Sequence, residues 1–357
     1  MAKKKLLFIF NPHSGKGQIR QKLLDIVDSF VKNDFQVVIY PTQAPHEARQ
    51  MIAEEAEEYD IVVCGGGDGT LDEVVSGMMR RVQKKVIGYI PAGSTNDFAN
   101  SLHIPKDMLR AAEIAVKGKV FPCDIGNMNG KFFVYIAAFG LFTDVSYGTP
   151  QEWKNLLGHM AYLLEGAKSL TSIKSYEMRV ECRDETPERT DEISAGKIDV
   201  IQGDFIYGMI TNSTSVGGFK NMTGSNVQLD DGLFEVTLIK KPKNAMELSE
   251  ILRSLTNLKD DTDLIYSAKT SEIHIVSEKE VAWTMDGEYG GSYTEIFIKN
   301  EKRAIEIMVE DIPPKEPPMI EKETGRLKLE TEEKTNLIKK EEIGEKNIQK
   351  SQEFIVI

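Results

Sequence analysis

Cysteine is scarce in this chain. Cys64, Cys123 and Cys182 stand apart from one another, and the five histidines (His13, His46, His103, His159 and His274) are equally scattered. That spacing excludes a disulfide framework and a spaced Cys/His zinc site, and it fits a reducing compartment. Long apolar runs are missing too, and none approaches the ~18 residues a bilayer crossing needs. The basic start, Met1-Ala2-Lys3-Lys4-Lys5, leads into only a short apolar run at 6–10. That run is too brief for a signal-peptide core and reads better as a first strand, so the expectation is a cytoplasmic chain. Positive charge is in deficit, with a formal net charge of -12, which argues against nucleic acid as a partner. It also disfavours wide docking on anionic lipid, although Lys240-Lys241-Pro242-Lys243 offers a local basic face. Two familiar phosphate loops are absent: no Gly-Lys-Ser/Thr stands at P-loop spacing, and the glycines do not fit the dinucleotide pattern.

What is present instead is the stretch Cys64-Gly65-Gly66-Gly67-Asp68-Gly69-Thr70-Leu71-Asp72-Glu73-Val74. The β-branched run Ile61-Val62-Val63 before it reads as a buried parallel strand. After it, Leu71, Val74, Val75, Met78, Met79 and Val82 recur at helical spacing. A strand therefore runs through a glycine turn into a helix, whose unpaired N–H groups and positive dipole end suit a polyphosphate. Asp68 is the odd member. A carboxylate beside an anion is repulsive unless a metal or a proton lies between them. The reading is a nucleotide–magnesium site with an acid inside it.

At 357 residues and 41% hydrophobic content, the chain has material for two cores and an appendage. Residues 1 to about 125 alternate strands (6–10, 35–40, 61–64, 86–90) with helical patterns, the sign of an α/β domain. The loops rich in Gly, Ser, Thr, Asn or Asp follow strands one, three and four, at the carboxyl edge where open α/β sheets bind ligands. From roughly 127 the texture changes to short strands at 132–139, 176–182, 198–201, 205–211, 233–239, 272–276, 281–285, 293–298 and 305–309. This suggests a β-rich, sandwich-like second domain, with a long helix at 155–173, another near 247–255 and a polar excursion at 183–196. Beyond Pro313-Pro314-Lys315-Glu316-Pro317-Pro318 the composition turns Lys/Glu-rich, a proline linker and solvated tail over 312–357.

Four motifs in matching order, Asn11-Pro12-His13-Ser14-Gly15, the glycine stretch 65–73, residues 93–99 and Asp286-Gly287-Glu288, resemble the diacylglycerol-kinase-like lipid kinases, particularly their soluble bacterial branch. The resemblance runs from Leu6 to about Val309 and leaves out the tail. It implies a three-layer α/β nucleotide domain over 1–126, a β-sandwich-like second domain over 127–285, and a segment near 286–311 that returns to the first. It further implies that Asn11, Pro12, His13, Ser14, Gly15, Thr42, Gly66, Gly67, Asp68, Gly69, Thr70, Leu71, Asp72, Glu73 and Thr95 bind ATP. Glu288 would be the proton acceptor, and Asp68 and Asp97 would hold the nucleotide's magnesium largely through water. Gln228, Asp231 and Leu233 match a loop for a second, structural magnesium, with Asp231 giving its side chain and the others their carbonyls. Asp72 departs from the resemblance, since the family more often carries Asn there.

The activity so implied is transfer of the γ-phosphate of ATP to a lipid hydroxyl, with diacylglycerol the leading acceptor. Sphingoid and other glycerolipid relatives stand behind it. The lipid is met by peripheral contact with the inner face of the membrane, and the resemblance allows a homodimer. NAD kinase shares the glycine loop and stays as an alternative, as does a catalytically silent lipid- or nucleotide-binding regulator.

Overall fold

A computed structural model describes residues 3–140, 173–183, 198–216, 219–220, 227–256 and 262–310. The helix expected at 155–173, the excursion at 183–196, Gly217-Gly218 and the tail at 312–357 lie essentially outside the described residues.

The N-terminal lobe is built from β1 (Lys4–Phe10), α1 (Gln18–Lys32), β2 (Phe35–Pro41), α2 (Glu47–Glu55), β3 (Ile61–Gly66), α3 (Asp68–Met79), β4 (Val86–Pro91), α4 (Asp97–Ser101) and α5 (Met108–Lys117). The strands pair in parallel in the order β4-β3-β1-β2. Successive connections leave β1 toward β2 and then toward β3 on its other side, which opens a crevice at the carboxyl ends of β1 and β3. β3 is buried along its whole length, as expected of an apolar strand covered on both faces. Ile19, Ile26 and Phe30 of α1 recur at helical spacing and are fully buried, Phe30 meeting Phe8 edge-on at 5.5 Å.

The second lobe is sheet-rich: β5 (Lys119–Met128), β6 (Lys131–Phe133), β7 (Ile136–Gly140), β8 (Tyr176–Arg183), β9 (Ile198–Thr211), the short ribbon β10 (Ser215–Val216) and β11 (Phe219–Lys220), β12 (Phe234–Lys240), α6 (Ala245–Thr256), β13 (Ile265–Thr270), β14 (Glu272–Met285) and β15 (Glu288–Val309). β9 and β14 each pair with β8 along one half and with β7 along the other. Two long strands thus pass from one layer to the other around a core containing Phe139, Tyr176, Phe205 and Trp283, with the Phe139 and Trp283 rings 4.8 Å apart.

Several expected strands differ from those observed. The strand expected at 132–139 is two, because the Val134, Tyr135 and Ile136 N–H groups turn away to the carboxylate of Asp286. The pairs expected at 198–201 and 205–211, at 272–276 and 281–285, and at 293–298 and 305–309 are single long strands, β9, β14 and β15. β15 is 22 residues long; it pairs with β14 at its start, runs antiparallel to β5, and reaches Ile87 of β4 through Ile307. The two lobes therefore share one hydrogen-bonded sheet.

Candidate active site

The glycine loop does its work by being thin. A β-carbon on Gly93 would lie 2.7 Å from the Gly67 Cα, so the loops after β3 and β4 meet backbone to backbone. Gly15 has φ +58°, and a β-carbon there would come within 2.2 Å of the Ala92 carbonyl oxygen. The loop after β1 is tied to the same edge by the Asn11 N–H, which donates to the Gly65 carbonyl at 2.9 Å. Asn11 Oδ1 accepts from the His13 N–H, and the Thr42 N–H donates to the Phe10 carbonyl. In α3 the Leu71 N–H donates back to the Gly67 carbonyl, which leaves the earlier N–H groups of that turn aimed outward from the helix start. Asn96, at φ +52°, clamps the fourth loop by exchanging two 2.8 Å hydrogen bonds with Gly93.

Two carboxylates sit inside this arrangement. Asp68 Oδ2 accepts from the Thr95 hydroxyl at 3.2 Å and from the Asp97 N–H at 3.3 Å, while its Oδ1 is buried without a hydrogen-bond partner. Burial first, and the neighbouring Asp97 second, push the Asp68 carboxyl up to about 6. An orphaned carboxylate oxygen beside a second, 1% exposed carboxylate is a place for a cation or a proton. The residues present thus fit a magnesium carried in on a nucleotide. Among the described residues no group of three or more His, Cys, Asp or Glu side chains forms a cage.

Glu288 reaches this loop from the other end of the chain. A β-carbon on Gly69 would lie 3.6 Å from Glu288 Oε1. The turn that delivers it is made by Asp286 (φ +49°) and Gly287 (φ +87°). Asp286 is buried and accepts from three successive N–H groups, Val134 at 2.5 Å and Tyr135 and Ile136 at 3.0 Å. Its carboxyl also hydrogen-bonds Asp72. Burial, then the charges of Asp286 and Glu288, hold Asp72 well above the ordinary carboxylate range. Three amides point at Asp286, so the proton between the pair belongs to Asp72. Asp286 was legible in the sequence only as part of a turn; its positive φ and this amide cradle are what its place in Asp286-Gly287-Glu288 signified.

A cavity of about 430 Å³ lies over the loop, lined by Asn11, His13, Ser14, Thr42, Gly67, Gly69, Thr70, Glu73 and Glu288 among others. Eight of the fifteen expected nucleotide residues are thereby brought together, while Asp72 lines a second cavity instead. Pro12, Leu71 and Glu73 also stand differently. The Leu71 side chain is in the core, 1% exposed, and Pro12 is buried, so only their backbones are available. Glu73 accepts from the His46 and Ala48 N–H groups at 2.8 and 3.2 Å and so caps the start of α2. That role follows from packing between helices and left no local signal.

The Gln228 loop is far from the glycine edge in its bonding. Asp231 Oδ1 accepts from the Leu233 N–H at 2.9 Å, and Oδ2 lies 3.6 Å from the Lys269 ammonium, which also sits 3.0 Å from Glu235. Gln228 is exposed and Leu233 buried. Lys269 faces two carboxylates there, and both Glu235 oxygens are buried without a hydrogen-bond partner. Asp124, raised to about 6 chiefly by burial, holds the loop through the Gly232 and Arg303 N–H groups at 2.6 and 2.7 Å.

Residues 5–128 match the model of the diacylglycerol kinase catalytic domain. A diacylglycerol kinase of Staphylococcus saprophyticus is 32% identical over 308 residues, covering 85% of this chain and 95% of its own length. One of Bacillus subtilis is 32% identical over 302 residues, covering 83% and 93%. A crystal structure of a diacylglycerol kinase from Bacillus anthracis shares the fold, with a TM-score of 0.63 at 21% identity over 87% of this chain and 98% of that one. No helix of the described residues is long and apolar enough to cross a membrane.

Proposed function

The chain belongs to the diacylglycerol kinase family and is a kinase acting on an alcohol acceptor, and from that premise we propose that it transfers the γ-phosphate of ATP to the free hydroxyl of diacylglycerol, giving phosphatidic acid. The observation that carries the reading is Glu288 Oε1 over Gly69, on the wall of the cavity that the glycine loop forms. A carboxylate there is within reach of a hydroxyl attacking a phosphate seated on α3, and general-base help of this kind is worth ~100- to 10,000-fold.

Phosphoryl transfer asks a protein for positioning and charge neutralisation. The N–H groups at the start of α3 hold the phosphates, with Ser14 and Thr95 beside them. Asp68 and Asp97 are the residues that would hold a magnesium arriving with the nucleotide, which would supply neutralisation of the charge on the phosphate oxygens. Asp286 fixes the turn that aims Glu288. A structural magnesium at Gln228, Asp231 and Leu233 would share the Asp231 carboxylate with Lys269. With no spanning helix among the described residues, the lipid is met by peripheral contact at the membrane surface.

The test is purified protein with magnesium and labelled ATP, offered NAD, dispersed diacylglycerol, ceramide and sphingosine in parallel. Label in phosphatidic acid is expected; label only in NADP, or only in a phosphorylated sphingoid, overturns the choice of acceptor. Glu288→Gln is expected to lose turnover by the factor above while binding ATP nearly as well, and undiminished turnover removes Glu288 from its role.

A further inference from the structure

Glu288 is on the wall of two cavities. Besides the one over the glycine loop, it borders a second, of about 310 Å³, lined from α2, α3 and β6. Three cations from three separate elements face that second cavity: Arg49 of α2, Arg80 at the end of α3, and Lys131 of β6. In a chain of net charge -12 such a convergence is against the composition. Arg80 has no ion pair among the described residues, and the Arg49 charge acts on Asp72 across the cavity. Lys131 is steadied by the Gly290 carbonyl, 2.8 Å from Nζ, and lies 5.8 Å from the centre of the Tyr293 ring. The acids on the wall are Asp72 and Glu288. Asp72 shares its proton with Asp286 and so adds little negative charge, leaving the cations in excess. The mouth passes Gly130, around which a β-carbon would meet nothing within 4 Å.

We propose that this second cavity is a phosphomonoester site on the acceptor side of Glu288. Two guanidinium forks and an ammonium match the three oxygens of a terminal phosphate, and charge-assisted bonds to phosphate are the strong kind. Phe132, Met285 and Tyr289 complete the wall, so the cavity offers the phosphate its cations and the ligand's apolar part a few apolar contacts beside them. On the reading above, the phosphate is that of the lipid product, drawn from the glycine loop past Glu288 into the cations once the lipid oxygen has taken the phosphoryl group and ADP is the leaving group. That identification rests on the proposed function; the anion site itself rests only on the cations and the cavity.

The experiment is calorimetry on the full-length protein, with the donor cleft first saturated by magnesium and a non-hydrolysable ATP analogue. The probes are glycerol 1-phosphate and inorganic phosphate, followed by flotation with phosphatidylcholine vesicles with and without phosphatidic acid. Binding of glycerol 1-phosphate and enhanced flotation with phosphatidic acid are expected, each weakened about tenfold or more in Arg49→Ala and in Arg80→Ala, the factor for one lost charge-assisted bond. Arg80 is exposed, so its variant keeps its fold, and an unchanged melting curve checks this. Soluble phosphate bound without any effect of phosphatidic acid overturns the lipid source. Wild-type affinities in both variants, or complete exclusion of phosphate by the ATP analogue, overturn the site. No turnover is read, so failure of the proposed reaction and failure of this site are told apart.

Discussion

Replacing Asp68 with Asn should make the unliganded protein more stable while removing its activity. Asp68 carries one carboxylate oxygen that is buried and without a partner, next to Asp97. The consequence is a carboxyl raised from 3.8 to about 6. Each pH unit of displacement is worth about 1.4 kcal/mol, so the ionised side chain costs the folded state ~3 kcal/mol relative to the unfolded one. The sign follows from which state holds the proton. Between pH 3.8 and about 6 the folded protein binds it and the unfolded chain does not, so stability falls as pH rises through that window. Above the window the whole penalty is present; below it there is none. Asn cannot ionise and keeps an acceptor for the Thr95 hydroxyl. Urea unfolding with chelator at about pH 7.5 should therefore show Asp68→Asn more stable by up to ~3 kcal/mol, with the gain vanishing near about pH 4. Magnesium and an ATP analogue should stabilise the wild type and not the variant. A variant no more stable than wild type at the higher pH would refute the reasoning, since the orphaned oxygen would then cost nothing.

Three further outcomes are expected. Gly93→Ala places a β-carbon 2.7 Å from the Gly67 Cα and should cost ~1–3 kcal/mol of stability together with nucleotide affinity, read by melting and by titration of an ATP analogue. Lys269→Met removes the cation facing Glu235, which is 6% exposed and raised to about 7 by burial; Glu235 then takes up a proton, so the loss of stability should be under ~1 kcal/mol near pH 7 and grow by about 1.4 kcal/mol for each pH unit above it, read by urea unfolding across pH. Recovery of that loss by millimolar magnesium would instead establish a metal at Asp231. Asp72→Asn lets an amide donate to Asp286 in place of the shared proton, so the variant should gain stability above neutral pH and match wild type in acid; urea midpoints across pH decide it.

The α/β lobe was legible because each of its strands is short, apolar and closed by a loop of distinctive residues, so 6–10, 35–40, 61–64 and 86–90 all appear close to where periodicity puts them. The second lobe was harder for a physical reason. Its long strands carry bulges, between Val276 and Val281 and between Glu301 and Ile305, and each bulge reads in sequence as a turn between two strands. β5 has mixed burial and a proline, Pro122, and escaped notice altogether. At the site, residue types named the phosphate loop, but Asp286 met its amide cradle only through folding across about 150 positions. Arg49, Arg80 and Lys131 carry no local mark at all, being ordinary surface cations until the helices bring them round one cavity.

β15 is, mechanically, a beam fixed at both ends. Its first residue is Glu288, and its far end is clamped in the N-terminal lobe by Ile305, Ile307 and Val309, all in that lobe's core. Laddered on β14 and β5, such a beam is braced along its length, and its pairing with β5 is interrupted only between Glu301 and Ile305. Arg303 sits at that interruption with φ +50°, its N–H held by Asp124 and its guanidinium by Asp230. The base and the phosphate seat are thus tied into one hydrogen-bonded frame, because the strand that opens with Glu288 ends in the core beneath the glycine loop.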